Sequence, residues 1–380
     1  MNYVQLREMC CITMGQSPNS DSYNEEREGV PFFQGNADFG ERYPNVRTWC
    51  KEPKKMAKNG DVLISVRAPI GAINYAKETC CIGRGLAALS PKTDKVSKEF
   101  IFWVMKSRCK ELQMKGTGST FKAISKKILE EVKIPLYPLE KQIEYSLVLE
   151  KVYAIIETYK SELQKLDELI QARFVEMFGD PITNSFGWEE HWLDEYIEFL
   201  TSGSRGWAKY FTDVGNELFI TIKNVKNNQI TIDNIQYINA PNSKEAKRTR
   251  VKTGDLLISI TADLGRTGVV DEAISKRGAY INQHLSLVRL DQSRINPLYV
   301  SYFLETEGGK KQFESKNQNG VKAGLNFEAI RSLKILVPPM ELQEKYLTFV
   351  NQVNKSKVEI QQALEKTQLL FDSLMQQYFG

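Results

Sequence analysis

Two stretches of the chain share one long pattern of apolar positions. They cover residues 139–179 and 340–380, an offset of 201 residues. In each, apolar side chains recur at alternating spacings of four and three residues over about five heptads. A repeat of 3.5 residues over this length predicts coiled-coil helices. The predicted seam residues are Leu149, Val152, Ile156, Leu163, Leu166 and Ile170 in the first helix and Val350, Val353, Ile360, Leu364, Phe371 and Leu374 in the second.

The two helices are predicted to pair with each other and to run antiparallel. Each should be roughly 60 Å long. A parallel pair would need a linker that travels back along this length, and the sequence has none. The turn Phe178-Gly179-Asp180-Pro181 follows the first helix instead. Antiparallel pairing implies pseudo-twofold internal symmetry. Two ordinary long helices on a shared core remain the alternative.

The rest of the chain shows short apolar strand patterns and turn signals that predict two similar modules. Each module contains a Gly-Asp-x-Leu-Ile-Ser motif, at residues 60–65 and 254–259, in which a tight turn leads into a buried strand. Later helical segments are predicted at Glu99–Met114 and Pro297–Phe313. We predict an α+β fold with mixed sheets, in which two α/β domains are separated by the long helices. The predicted boundaries are 1–138, 139–180, 181–338 and 339–380.

The distribution of cysteines and the hydropathy of the chain indicate the cellular compartment to expect. No apolar run reaches the ~18–20 residues of a membrane span, and the N-terminus lacks the pattern of a signal peptide. All six cysteines lie in the first module, whereas a disulfide framework that the fold needs would appear in both copies. We expect a soluble cytoplasmic protein with reduced thiols.

Charge is distributed unevenly. Residues 1–138 carry 22 basic and 15 acidic side chains and residues 181–338 carry 20 and 18, whereas the two helical segments are net acidic. The modules are therefore the expected anion-binding surfaces, and the helices are expected to be spacers or protein-docking faces. Because the second module is only mildly basic, charge alone does not establish nucleic-acid binding.

The chain resembles the DNA specificity subunits of type I restriction–modification systems. The resemblance covers essentially all 380 residues and rests first on the order of module, helix, module and helix. Each motif is weak alone, but their order, spacing and duplication are specific. The motifs are Gly15-Gln16-Ser17-Pro18, the two Gly-Asp-x-Leu-Ile-Ser sequences, the run Ile134–Gln142, and Met177-Phe178-Gly179-Asp180-Pro181.

The resemblance implies that each module is a target recognition domain that reads one half of a split DNA sequence. It implies that the helices pair, set the gap between the half-sites and dock two modification subunits. The assembled complex would methylate adenine with S-adenosylmethionine and, with restriction subunits, cleave DNA using ATP and Mg²⁺. These cofactors would be held by the partner chains, with no catalytic residue, no metal and no cofactor on this chain.

The residues independently favour a non-catalytic role. We find no adenine pocket of the Asn-Pro-Pro-Tyr type, no Gly-rich loop suited to S-adenosylmethionine and no ATP-binding Walker loop. The sequence Glu131-Val132-Lys133 matches the Glu-x-Lys pattern of nuclease metal sites. The equivalent residues of the second copy are Ser332-Leu333-Lys334, so the glutamate is not repeated there, which argues against a nuclease site. Only two histidines, His191 and His284, are present, which argues against a His-rich metal site.

DNA-contacting residues are sought on non-helical segments of the modules. Arginine pairs with guanine and Asn or Gln with adenine, whereas Lys, Ser and Thr hold phosphates. Any one of the candidates has the alternative of being a solvated loop residue. They are Gln16, Ser17, Arg67, Arg84, Lys115, Thr117, Ser119 and Lys122 in the first module, and Ser204, Arg205, Lys209, Lys223, Asn224, Arg266, Asn282, Gln283, Gln318, Asn319 and Lys322 in the second.

Two other functions are weighed against DNA recognition. A tandem scaffold for protein ligands predicts no salt-dependent DNA affinity, whereas modules that neutralise phosphates lose affinity steeply with salt. A self-contained nuclease or methyltransferase requires the chain alone to turn over its substrate, and the lack of the corresponding motifs argues against this. The DNA target itself is not readable from one sequence.

Overall fold

A computed structural model describes residues 2–92, 95–117, 122–317 and 324–380. The chain forms two compact units, one from Met1–Ser161 with Ile360–Gly380 and one from Glu162–Glu359. Each unit therefore contains one module, the beginning of one long helix and the end of the other. The boundaries predicted from the sequence follow modules and helices and do not coincide with these units.

The first unit packs short helices against three sheets. The sheets are ordered β1–β11, β2–β10–β7–β8 and β3–β5–β4–β9–β6, and every pair is antiparallel except β4–β9, which is parallel. The strands are β1 (Tyr3–Gln5), β2 (Cys10–Met14), β3 (Tyr23–Asn24), β4 (Val30–Phe33), β5 (Thr48–Cys50), β6 (Met56–Ala57), β7 (Val62–Ser65), β8 (Ile73–Tyr75), β9 (Cys80–Ile82), β10 (Leu86–Pro91) and β11 (Lys133–Pro135). The helices are α1 (Leu6–Met9), α2 (Lys98–Ser107), α3 (Cys109–Met114) and α4 (Lys126–Glu130), followed by the first long helix, α5 (Leu139–Phe178).

The second unit repeats this plan. Its sheets are ordered β12–β23, β13–β22–β19–β20–β17–β16 and β14–β18–β15–β21, with parallel pairs β15–β21 and β17–β20. The strands are β12 (Glu190–Trp192), β13 (Ile197–Ser202), β14 (Phe211–Thr212), β15 (Glu217–Ile220), β16 (Val225–Lys226), β17 (Asn228–Ile230), β18 (Gln236–Ile238), β19 (Leu256–Ser259), β20 (Thr267–Val269), β21 (Ala279–Ile281), β22 (Leu285–Leu290) and β23 (Lys334–Leu336). The helices are α6 (Lys244–Thr249), α7 (Glu272–Arg277), α8 (Pro297–Glu305), α9 (Glu307–Lys316) and α10 (Phe327–Arg331), followed by the second long helix, α11 (Met340–Phe379).

The α+β architecture with mixed sheets confirms the predicted fold class, although two predicted helices are not continuous. The segment Glu99–Met114 is interrupted at Arg108, and Pro297–Phe313 is interrupted at Thr306. Thr306 accepts a hydrogen bond from the backbone N–H of Gly309 and so caps a new helix. Neither interruption was predicted from the sequence.

The cysteines do not crosslink the fold. All six are free. Burial raises the pKa of Cys10 and the pKa of Cys80 to about 12, so both are protonated thiols at neutral pH. They therefore serve as small apolar core residues.

The long helices are antiparallel within the first unit. Tyr145 stacks on Tyr378 with ring centroids 4.0 Å apart, and Tyr153 lies 6.0 Å from Phe371. Residue numbers rise along α5 as they fall along α11. The Tyr137 hydroxyl adds a hydrogen bond of 2.9 Å to the carbonyl of Tyr378.

The second unit contains the complementary halves in the same antiparallel sense. The Tyr346 ring meets Phe174 edge-on at 5.4 Å, and its hydroxyl bonds to the Ile170 carbonyl at 3.3 Å. Lys357 forms an ion pair with Asp167.

The predicted seam residues face these contacts. In the described chain none of the twelve is exposed, whereas the neighbouring apolar residue Ile155 is 45% exposed. Seven of them are core residues, namely Leu149, Val152, Ile156, Ile170, Val350, Val353 and Phe371. The others, Leu163, Leu166, Ile360, Leu364 and Leu374, are half-buried.

A buried glutamine fixes the start of each long helix to its module. The Gln142 side chain accepts a hydrogen bond from the backbone N–H of Ser97 at 3.1 Å and donates to the carbonyls of Lys95 and Tyr137. Gln343 likewise accepts from the N–H of Asn296 at 3.0 Å and donates to the carbonyl of Pro338. Ser97 and Asn296 are the N-caps of α2 and α8. The sequence Pro-[Leu/Met]-Glu-x-Gln occurs at residues 138–142 and again at 339–343, and these contacts account for its glutamine.

The C-terminal Phe-Gly of each long helix packs against the module that does not precede that helix. Phe379 packs against Phe100 at 5.6 Å, and Arg108 donates to the carbonyls of Phe379 and Gly380. In the second unit Phe178 packs against Tyr299 at 5.0 Å. Each module is therefore fastened to the start of the helix that follows it and to the end of the other helix.

Substitution of the buried glutamine should destabilise the fold. Gln142→Ala removes three hydrogen bonds and leaves buried backbone groups unpaired, so we expect a loss of about 2–4 kcal/mol in urea unfolding. Gln164→Ala on the exposed face of α5, where the amide donates to Glu168, is the matched control and should cost under about 0.5 kcal/mol. Equal losses in the two variants would contradict the assigned role of Gln142.

A charge at the seam should disrupt the helix pairing. Ile156 is 1% exposed, so Ile156→Asp buries an unpaired carboxylate at a cost of several kcal/mol. Ile155→Asp places the same charge one residue away on the exposed face and should leave the thermal unfolding midpoint nearly unchanged. An Ile156→Asp midpoint that matches the control would show that this position does not face the core.

Candidate nucleic-acid interface

In the first unit, three strand ends meet at one edge of a sheet. Strands β2 and β7 end where β10 begins, since Leu86 pairs with Ser65 and Ala87 pairs with Met14. The loops after β2, after β7 and before β10 therefore leave the sheet together. We call this the loop edge of the first unit, formed by residues 15–17, 67–71 and 83–85.

The serine of each Gly-Asp-x-Leu-Ile-Ser motif pins one of these loops. The Ser65 hydroxyl donates to the Pro69 carbonyl at 2.5 Å and accepts from the backbone N–H of Ala72 at 3.0 Å. Ser259 makes the same two contacts around its own loop, where it accepts from the N–H of Arg266 at 2.9 Å. The motif thus joins a core strand to a loop of defined shape.

Five predicted residues of the first module are exposed at or beside this loop edge. The segment that precedes α4 joins it, because the N–H of Ala68 donates to the Lys122 carbonyl at 3.2 Å and Thr117 bridges to Ala123. The backbone N–H of Val66 donates to the Gly85 carbonyl at 2.9 Å, which links the loop after β7 to the loop before β10. The five are Gln16, Arg67, Arg84, Thr117 and Lys122.

The remaining predicted residues of the first module have other surroundings. Ser17 hydrogen-bonds the amide of Gln34 at 3.0 Å and accepts from the N–H of Arg84 at 3.3 Å. Gln34 is exposed directly after β4 at the same edge and is not among the residues predicted from the sequence. Lys115 is ion-paired with Glu111 at 2.6 Å. Ser119 lies outside the described residues.

The second unit has the equivalent edge. Strands β13 and β19 end where β22 begins, since Ser202 pairs with Ser286 and Ser259 pairs with Leu285. Its loop edge comprises residues 203–205, 261–266 and 282–284. Strand β15 ends beside it, because the N–H of Asn282 donates to the Ile220 carbonyl at 3.1 Å.

Arginine, lysine and glutamine are again presented at this edge. Arg205 and Lys223 are exposed, and Gln283 is half-buried. The Arg266 guanidinium is ion-paired with Asp263 in its own loop, which reduces its availability for an anion.

Two polar side chains at this edge organise it from within. Arg248, which was not predicted from the sequence, donates to the Ser202 carbonyl at 2.8 Å and to the Ser204 hydroxyl at 3.1 Å. His284 lies 2.6 Å from the Thr261 hydroxyl and 2.8 Å from the Gln283 amide. Arg248 lies on α6, so only the folded chain brings it to the loop edge.

Three predicted residues of the second module are buried. Asn224 is 3% exposed and both atoms of its amide bond within its own turn, to Thr221 and Thr231. Asn282 is buried and accepts from the backbone N–H of His284. Ser204 is also buried. These side chains shape the loops.

The other predicted residues of this module lie elsewhere. Lys209 is exposed beside Tyr210, whose carbonyl bonds to Asn239 at the end of β18 away from the loop edge. Gln318, Asn319 and Lys322 lie outside the described residues.

The loop edges offer cations, amides and hydroxyls, which suit phosphates and base edges.

Within residues 2–92, 95–117, 122–317 and 324–380, no group of three or more His, Cys, Asp or Glu side chains could hold a metal ion. In the same residues, no helix is both long and apolar enough to cross a membrane.

Comparison with known proteins gives concordant matches. The family described as "Type I restriction modification DNA specificity domain" matches residues 1–168 and 187–369. A stretch of 157 residues, 41% of this chain, is 45% identical to a putative type I restriction enzyme MjaX specificity subunit of Methanocaldococcus jannaschii, and this match spans only 37% of that protein. The EcoBI specificity subunit of Escherichia coli is 17% identical over 410 residues, covering 99% of this chain and 85% of that protein.

Solved structures share the fold. The S subunit of a type I restriction–modification system from M. genitalium superposes with a TM-score of 0.61 at 15% identity, covering 100% of this chain and 96% of that one. A chain from a study of assembly and conformational transition of the type I R-M system gives a TM-score of 0.57 at 17% identity, with 99% and 96% covered. Since the family matches nearly the whole sequence in two repeats, this chain belongs to the type I restriction–modification DNA specificity family.

Proposed function

We propose that this chain reads a bipartite DNA target, with one half contacted by the loop edge of each unit. The observation that carries the proposal is the repetition of the same three strand ends, pinned by the same serine, in both modules. Each edge exposes arginine, which can pair with guanine, and carries glutamine, which can pair with adenine and is exposed in the first unit but half-buried in the second. Exposed lysines beside them suit the phosphate backbone.

The long helices would set the gap between the two half-sites and dock two modification subunits. Net acidic composition and exposed apolar residues on α5, such as Ile143, Leu147 and Ile155, support a protein-docking role. Restriction subunits would join the same assembly.

Chemistry would be performed by the partner chains. Adenine methylation would use S-adenosylmethionine bound by the modification subunits, and cleavage would use ATP and Mg²⁺ bound by the restriction subunits. This chain would bind none of them, in keeping with the lack of the corresponding sequence motifs. Its own contribution would be the choice of sequence.

Substitutions at the two loop edges should relax the two halves of the target separately. Arg84→Ala should weaken recognition in one half by about 1–3 kcal/mol, and Arg205→Ala should do so in the other. The measurement is methylome sequencing of cells that express each variant with the cognate modification subunit.

Arg7→Ala supplies the matched control in the first module. Arg7 is exposed but precedes β2, at the opposite end of the same sheet, so its loss should leave the methylated motif unchanged. Simultaneous change of both halves by Arg84→Ala would refute separable reading. Absence of any bipartite methylated motif would refute the proposed function.

Helix length should determine the gap. Four residues inserted after Lys160 and four after Gln361 lengthen each helix by ~6 Å, so the gap should grow by about one or two base pairs at ~3.4 Å each. Both half-sequences should stay the same. Insertion into α5 alone mismatches the helices and is expected to abolish assembly. A double-insertion variant that methylates the original spacing would refute the spacing role.

A further inference from the structure

The turn that joins β9 to β10 in the first unit has the same backbone as the turn that joins β21 to β22 in the second. In the first turn, the N–H of Leu86 donates to the Gly83 carbonyl at 3.0 Å. In the second, the N–H of Leu285 donates to the Asn282 carbonyl at 3.2 Å. Each is therefore a four-residue turn closed by a bond from its last N–H to its first carbonyl.

The neighbouring loop of the edge packs on both turns in the same way. A Cβ atom on Gly15, the first residue after β2, would lie 2.1 Å from the Gly83 carbonyl oxygen. A Cβ atom on Gly203, the first residue after β13, would lie 2.0 Å from the Asn282 carbonyl oxygen. Only glycine leaves room for so close an approach. The two turns are thus held at equivalent places on the two loop edges.

The second residue of the turn differs between the copies. It is Arg84 in the first unit, which is exposed, and Gln283 in the second, which is half-buried. Arginine offers only hydrogen-bond donors, which match the O6 and N7 acceptors of guanine. The glutamine amide offers a donor and an acceptor, which match N7 and N6 of adenine. One backbone position therefore presents different hydrogen-bonding groups in the two units.

His284 determines which atoms of the Gln283 amide stay available. The amide nitrogen lies 2.8 Å from His284 Nε2, and because an amide nitrogen can only donate, this ring nitrogen accepts. The other ring nitrogen, Nδ1, therefore carries the proton and donates to the Thr261 hydroxyl at 2.6 Å. In the described chain the Gln283 amide makes no other hydrogen bond. Its oxygen and its second N–H remain, and this pair matches adenine.

We propose that this turn position specifies one base pair in each half of the DNA target. Arg84 specifies a G·C pair in one half, and Gln283 specifies an A·T pair in the other. His284 is a positioning residue, since it orients the Gln283 amide and does not itself contact the base. The inference rests on the proposed function and adds to it which side chain recognises which base.

Reciprocal substitutions test the assignment by methylome sequencing of cells that express the full chain with the cognate modification subunit. Arg84→Gln should change one G·C pair in one half of the methylated motif to A·T. Gln283→Arg should change one A·T pair in the other half to G·C. Each variant should favour its new pair over the original by about tenfold, because the hydrogen-bonding groups at the turn have been exchanged. The other positions of the motif should stay the same.

Arg7→Gln and Gln292→Arg are the matched controls and should leave the motif unchanged. Both residues are exposed, Arg7 before β2 and Gln292 after β22, so they lie at the ends of their sheets opposite the loop edges. If a swap variant methylates no site, competition between DNA duplexes that carry either base pair measures its preference with the purified full chain.

The positioning role has its own test. His284→Leu removes the acceptor for the Gln283 amide and should relax discrimination at the A·T pair alone, by about tenfold. His284→Gln supplies an amide oxygen that can accept the same bond and should restore discrimination. Relaxation at several positions of the motif, or a failure of His284→Gln to restore it, would overturn this role.

The outcomes separate this inference from the proposed function. Absence of a bipartite methylated motif with the wild-type chain refutes the proposed function itself. A bipartite motif that Arg84→Gln and Gln283→Arg both leave unchanged overturns the inference while the proposed function stands. A wild-type G·C pair at the position that Gln283→Arg alters would also overturn it, and so would equal preference for the two duplexes in the competition.

Discussion

The hydrogen bonds of two buried glutamines are the constraint on which the rest of the structure depends. Gln142 and Gln343 each tie the first turn of a long helix to the N-cap of a module helix, so the direction in which each long helix leaves its module is fixed. The Phe-Gly end of the opposite helix then closes the same core. A helix held at its start by directional bonds and at its end by packing has little freedom to pivot on either module.

The loop edges show how one framework can carry different surfaces. Ser65 and Ser259 hold the loops of the two copies by the same pair of bonds, yet the loops differ in sequence and in side-chain chemistry. Backbone shape is thus set by the core strand, and the exposed side chains are free to differ. Such a separation suits the proposed reading of one half of the DNA target by each copy.

The sequence predicted the parts of the fold that depend on local pattern. The apolar period located both long helices to within a residue of their observed ends, because a seam of this length has few alternative structures. Gln34 and Arg248 were not predicted because they follow β4 and lie on α6, outside the sequence segments that form the loop edges. Only the folded chain brings these elements to the edges. The burial of Asn224 was not predicted, because the residue type alone does not reveal that its amide bonds to Thr221 and Thr231.

The composition of the first unit has a consequence for the order in which the protein folds. Its core includes Phe371 and Phe379, which are synthesised more than 200 residues after the strands they cover. The second unit is one contiguous stretch, Glu162–Glu359, and has all of its residues sooner. The first module is therefore synthesised first, but its core is completed last. Until the end of α11 is synthesised, Phe100 lacks its contact with Phe379 and Trp103 lacks its contact with Phe371. Nascent chains are consequently vulnerable to aggregation at the first module until residues 360–380 emerge.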